Sequence, residues 1–366
     1  MARKTALYDR HVEAGARIVD FAGWMLPVQY PSGPKEEHHR VRTAAGLFDI
    51  DHMGQVAVSG SDALEFLQRT LTADMSSLEI GEAAYALMCY SDGTIVDDIF
   101  VYRLADRYLL AVNASNNEKD TRWLQHHRAD LDVDVRNVSE ETYMLALQGP
   151  QSQAILQELI DADLSNLSFH HVIEARMCDV AALVSRTGYT GEDGFELYFP
   201  ATRALAVWDA IRRAGTPRGL IPAGLAARDT LRLEAAMPLY GQEISSAINP
   251  FEARLGWAVS LDKGDFLGRE ALLKARLEGP TRNLIGFRMT AGGVARHGYP
   301  IVTPEGQVVG EVTSGSYAPS LDAFIGLGYV PTVLAKPGVD IGIEIRGKQK
   351  PATVVRLPFY KPAYRR

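Results

Sequence analysis

Cysteine is scarce in this chain: two among 366 residues, Cys89 and Cys178, far apart and outside any CxxC spacing. A disulfide framework or a cysteine-built zinc site is therefore not expected, and a reducing compartment is the simpler setting. Long apolar runs are missing as well. No segment approaches the roughly 18 apolar residues of a membrane span, and the opening Met-Ala-Arg-Lys-Thr lacks the apolar core of a signal peptide. The expected location is the cytoplasm, or an organelle matrix for a mature form, with no membrane partner. Positive charge is not in excess either, since 38 Lys and Arg face 45 Asp and Glu for a net −7. No global field gathers nucleic acid, so an anionic ligand must be held by local arginines. The sequence also has no GxGxxG after a strand, no GxxxxGK[ST], no HExxH and no GxSxG, which weakens dinucleotide, P-loop, zincin and serine-hydrolase readings.

What is present is ordinary globular composition, 46% hydrophobic and 23% charged, at a length that suits two or three domains. Ala86–Tyr90 and Ile95–Leu104 are apolar runs separated by Ser91-Asp92-Gly93-Thr94, which predicts a hairpin; Tyr108–Asn113 extends it to a meander. Ser115 and Glu118 fit a capping box, so a helix is expected from Ser115. Ala181–Arg186 and Phe195–Phe199 form a second strand pair around a mobile-looking glycine-rich loop, residues 187–194, with a helix following at Ala204–Arg213. Another helix is expected from Pro222 through Arg228 to about Ala235. After a linker at residues 278–282, short runs broken by Gly and Pro (Leu284–Met289, Val308–Thr313, Phe324–Tyr329, Ile341–Arg346, Ala352–Leu357) predict a closing all-β domain. The adjacent histidines 38–39, 126–127 and 170–171 point to different sides of any strand or helix, so surface positions rather than a metal site are expected.

Candidate chemistry begins with Asp97 and Asp98 inside Ile95–Tyr102. By strand alternation Asp97 shares a face with Ile95, Ile99 and Val101, and Asp98 shares the other with Val96, Phe100 and Tyr102. Neither face is polar, so at least one carboxylate is expected against apolar surface, unless a bulge or salt bridge relieves it. Glu196 alternates with Phe195 and Leu197, and a solvent-facing glutamate is the default there. Arg228 lies one helical turn before Arg232; it offers a fork of donors to a ligand, or simply a solvated face. Asn113 ends a strand, where an amide often only caps a turn.

The strings Leu7-Tyr8-Asp9…His11, Val19–Trp24, Phe48–Met53, Ile95-Val96-Asp97-Asp98, Leu147-Gln148-Gly149-Pro150, Thr187–Glu192, Gly224…Ala227–Glu234 and Leu239–Glu243 occur in this order along the chain. Together they resemble the aminomethyltransferase (T protein) of the glycine cleavage system, from about residue 5 to the C-terminus. The resemblance implies an α+β fold, a three-domain cloverleaf with two α+β folate-binding subdomains and a C-terminal all-β barrel-like domain around a central channel. It implies a folate-binding region over 1–275, with about 52–136 forming much of the second subdomain, and a barrel domain over 283–366. It further implies transfer of an aminomethyl group from the lipoyl arm of a carrier, the H protein, to tetrahydrofolate as co-substrate, with no metal. By similarity Asp97 is the essential aspartate, Glu196, Arg228 and Tyr364 are folate contacts, and Asn113, Tyr85 and Met53 lie near the pterin.

Rival readings fare less well. Folate-linked sarcosine and dimethylglycine dehydrogenases need a flavin fingerprint that is absent here. Folate proteins of iron–sulfur cluster maintenance carry a cysteine shortly before Gly-Gln-Glu, where this chain reads Ala236-Met237-Pro238-Leu239-Tyr240-Gly241-Gln242-Glu243. A folate-dependent demethylase of a sulfonium compound is excluded less firmly. From Glu344 onward the basic residues Arg346, Lys348, Lys350, Arg356, Lys361, Arg365 and Arg366 face a single Glu344, a local positive field suited to an acidic carrier.

Overall fold

The computed structural model describes residues 2–362; Tyr364, together with Arg365 and Arg366, lies outside the described residues. The chain divides into two compact units. Met1–Thr70, Asp74–Ala86 and Ile99–Arg228 form the first, and Leu71–Ala73, Leu87–Asp98 and Asp229–Arg366 form the second.

The first unit is built around a six-stranded sheet in the order Val172–Met177, Val180–Ser185, Gly194–Pro200, Thr142–Gln148, Ala45–Asp49, Leu220–Pro222. Its neighbours are antiparallel except the last pair, where Leu220–Pro222 runs parallel to Ala45–Leu47. Period-two alternation sends Phe195, Leu197 and Phe199 into one core with Tyr143, Leu145 and Leu147, under Val207, Trp208 and Ile211 of the helix Ala204–Gly215. The same alternation turns Glu196 and Tyr198 to the other face, opposite Ala146 and Met144. Pro222 is thus the end of an edge strand, where a missing N–H is tolerated, and not the start of a helix. The helix begins at Leu225 and runs to Glu234.

The expected meander is part of a five-stranded sheet, ordered Ala83–Cys89, Ile95–Arg103, Tyr108–Val112, Gly54–Ser59, Asp134–Asn137. Its first turn is held by Asp92, whose carboxylate accepts from Thr94 N and Oγ1 at 3.0 and 2.7 Å. The next helix does not start at Ser115. It covers Asn117–His126 with Asn116 at the cap position, and Glu118 pairs instead with Arg122 one turn on.

In the second unit a closed six-stranded barrel follows the order Arg282–Met289, Ala323–Pro331, Val308–Ala318, Pro300–Val302, Asp340–Ile345, Lys348–Val355. Ile285, Phe287, Ile301, Val312, Ile343 and Val354 fill it, and closure leaves no sheet edge exposed. The sequence predicted five of these strands; Pro300–Val302, three residues long and opening on proline, carries too little pattern to read. Among the described residues no helix is long and apolar enough to cross a membrane.

Candidate active site

Glu196 is not a surface residue. It is only 9% exposed, and its Oε2 accepts hydrogen bonds from Thr187 Oγ1 at 2.7 Å and from the Tyr102 hydroxyl at 3.2 Å. Tyr198 in turn donates to the Tyr102 oxygen at 2.9 Å. Burial, then the Glu196 charge, pushes the Tyr102 phenol well above its ordinary range, so it stays a donor. Tyr102 also packs on Phe100, whose ring meets Tyr85 and His170 edge-on at 6.4 and 5.2 Å. The first unit therefore brings Glu196 and Tyr85 together through a sheet of aromatic rings.

The loop beside Glu196 is pinned, contrary to its mobile look in the sequence. Gln148, fully buried, donates Nε2 to Thr187 O and Phe195 O at 3.0 and 3.4 Å and accepts from Thr190 Oγ1 at 2.8 Å. Arg42 reaches Thr190 O and the Glu192 carboxylate at 2.8 and 3.2 Å, and Arg186 holds Asp193 with two bonds at 2.8 and 2.6 Å. Gly188 has to be glycine, because a Cβ there would stand 2.0 Å from Gln148 Oε1. The loop's Tyr189 ring lies 4.7 Å under the Arg228 guanidinium.

Arg228 also acts on His52, next to Met53. Burial first and the Arg228 charge second push the His52 imidazole down to about 3, so it is neutral. Met53 is half-buried, with its N–H on Ile50 O at 3.0 Å and its carbonyl taking Gln55 Nε2 at 2.6 Å. In the same stretch both oxygens of Asp49 are occupied, Oδ2 by Thr5, His11 and Tyr143 at 2.7, 2.9 and 3.1 Å and Oδ1 by Asp51 N at 3.2 Å, which marks it as structural. Asn113 is half-buried, and its carbonyl takes Asn116 N at 2.9 Å.

Asp97 and Asp98 differ in burial. Asp97 is 0% exposed, while Asp98 and Phe100, which alternate with it along the strand, are each partly exposed. His38, expected at the surface, is buried on the helix Pro34–Thr43. Among the described residues no group of three or more His, Cys, Asp or Glu could hold a metal ion.

Comparison with known proteins shows the family. Residues 7–263 match the GCVT N-terminal domain, and residues 282–361 match the glycine cleavage T-protein C-terminal barrel domain. The chain belongs to the glycine cleavage T-protein family of aminomethyltransferases. Relatives named aminomethyltransferase include one from Bacillus pumilus, 47% identical over 99% of this chain and 100% of that protein. Another, from Desulforamulus reducens, is 49% identical over 98% of each. The glycine cleavage system aminomethyltransferase T of Bartonella henselae superposes with a TM-score of 0.94 at 36% identity, covering 100% of both chains. Against this family background, sequence reasoning passed over Tyr102, Thr187 and Gln148. Only Gln148 carried a signal, as a polar residue closing the apolar run Thr142–Gln148.

Proposed function

We infer that this aminomethyltransferase takes the aminomethyl group carried as a thioether on the lipoyl arm of the H protein and passes its carbon to tetrahydrofolate. The carbon's bonds to sulfur and to the amine break, and two bonds to folate nitrogens form. The products are 5,10-methylenetetrahydrofolate, ammonia and a dihydrolipoyl arm. The reaction is placed in the cytoplasm, with residues 1–275 as the folate-binding region, about 52–136 making much of its second subdomain, and 283–366 as the barrel domain.

The observation that carries the reading is the half-used carboxylate of Glu196, buried among aromatic rings with Oε2 bonded and no described donor on Oε1. A pterin presents an amine and a ring N–H side by side, which suits such an acceptor, and the Phe100 and Tyr85 rings offer apolar walls. Arg228, stacked on Tyr189, supplies the local positive charge that an acidic chain needs for a polar ligand. Tyr85, Met53 and Asn113 are half-buried, as ligand-lining side chains would be. Tyr364 remains a contact implied by family resemblance.

The reacting carboxylate comes from the aspartate pair. Carbon–sulfur cleavage develops an iminium-like cation, which a fixed anion stabilises before taking the proton lost on ring closure. Family resemblance favours Asp97. Accessibility favours Asp98, because Asp97 is wholly buried and Asp98 is not. The basic C-terminal segment is the proposed docking field for the acidic carrier. Supplying aminomethylated lipoyl carrier and tetrahydrofolate tests the whole reading; no ammonia and no methylenetetrahydrofolate would overturn it.

A further inference from the structure

An ionised carboxylate has four acceptor positions, two on each oxygen. In Glu196 both positions on Oε2 are taken, by Thr187 and Tyr102, and no donor among the described residues reaches Oε1. The protons behind these bonds run one way. Tyr198 donates to Tyr102 and Tyr102 to Glu196. Thr187 Oγ1 gives its shortest contact, 2.7 Å, to the carboxylate, and also lies 3.0 Å from Ser185 Oγ. Two hydroxyl donors therefore end on one oxygen.

We propose that Tyr102 and Thr187 are positioning residues that saturate Oε2 of Glu196 and confine folate recognition to Oε1. The pterin's paired N–H groups then share one oxygen and do not span both. The site gains a fixed carboxylate plane, because two neutral donors, Tyr102 from a strand and Thr187 from the pinned loop, leave the side chain one orientation. Thr187 is itself held by the Gln148 bond to its carbonyl, so the buried amide transmits order to the carboxylate through one intermediate.

This inference rests on the reading that Glu196 meets the pterin, so the test separates the two. Tetrahydrofolate is titrated calorimetrically into the full chain carrying Thr187→Val, Thr187→Ser, Tyr102→Phe or Glu196→Gln. KM for tetrahydrofolate and kcat are measured beside it. Thr187→Val and Tyr102→Phe should each raise Kd and KM about tenfold, the loss of one hydrogen bond to a charged group. At saturating folate kcat should stay within about twofold, since the contact exists before the transition state. Thr187→Ser should restore near-normal affinity. Wild-type affinity in both Thr187→Val and Tyr102→Phe, with Glu196→Gln weakened, would overturn the positioning role and leave the pterin contact standing. So would a Thr187→Ser variant as weak as Thr187→Val. Wild-type affinity in Glu196→Gln would remove the pterin contact itself, and the inference with it.

Discussion

Glu196 in the first unit and Glu243 in the second are both buried glutamates, and their surroundings divide the two uses of a buried charge. Glu243, 0% exposed, has both oxygens occupied: Oε2 by Arg232 Nη1 at 2.8 Å and Leu239 N at 3.0 Å, Oε1 by Thr313 Oγ1 at 2.7 Å. Arg232 continues to Ser314 at 2.9 Å, so the Leu239–Glu243 turn is tied to the barrel strand Val308–Ala318. Charge is neutralised and every donor is spent. Glu196 is held only by neutral hydroxyls on one oxygen, with the other left to accept. A closed set of partners makes a lock, and an open set leaves an acceptor for the ligand proposed above.

The largest effect should come from the aspartates beside this contrast. Replacing the reacting carboxylate by asparagine should slow transfer by about two to four orders of magnitude. We expect the fall in Asp98→Asn, measured as methylenetetrahydrofolate formed at saturating folate. A larger fall in Asp97→Asn would return the role to the buried residue and show that accessibility misled. Next in size is Glu243→Gln, which removes the buried anion from the Arg232 guanidinium and leaves it only the half-exposed Asp229 carboxylate. Urea unfolding should show about 3–5 kcal/mol lost; less than about 1 kcal/mol, the range of exposed ion pairs, would deny it the role of a lock.

Glu196→Gln should invert that profile. Its amide oxygen still accepts from Thr187 and Tyr102, so stability changes little, while tetrahydrofolate affinity falls by about 1.5–3 kcal/mol. Equal losses of stability and affinity would erase the distinction between the two glutamates. The smallest effect concerns His52, whose folded imidazole is pushed down to about 3 against an ordinary 6.5. Between those values the unfolded chain binds the extra proton, so this stabilisation is complete above pH 6.5 and drains as the pH falls toward 3. Urea titrations at pH 7 and 5 should show wild type losing about 1–2 kcal/mol more than His52→Gln. Parallel losses would mean the ring titrates normally and Arg228 does not govern it.

Legibility followed length and repetition. The hairpin around Asp92-Gly93 could be read because apolar runs of five or more residues flank a turn dipeptide, and five of six barrel strands could be read for the same reason. Pro222 was misread as a helix start because a proline suits both a first helical turn and an edge strand. Only the parallel pairing with Ala45–Leu47 decides between them. Ser115 was misread because its spacing to Glu118 fits a cap, yet the glutamate finds Arg122 instead.

The candidate site shows the same division more sharply. Family membership was present in the order and spacing of short strings, a one-dimensional property that needs no coordinates. Which face Glu196 occupies was not, since an alternating strand has two faces and the chain does not say which one another sheet will cover. Its partner Tyr102 is 94 residues away and Tyr198 is tied to the same hydroxyl across 96. The rigidity of the glycine-rich loop comes from Gln148, 39 residues before the carbonyl it binds. Composition announces flexibility there, and only a buried amide brought in by strand pairing removes it, because hydrogen bonds depend on distance in space and not on separation along the chain.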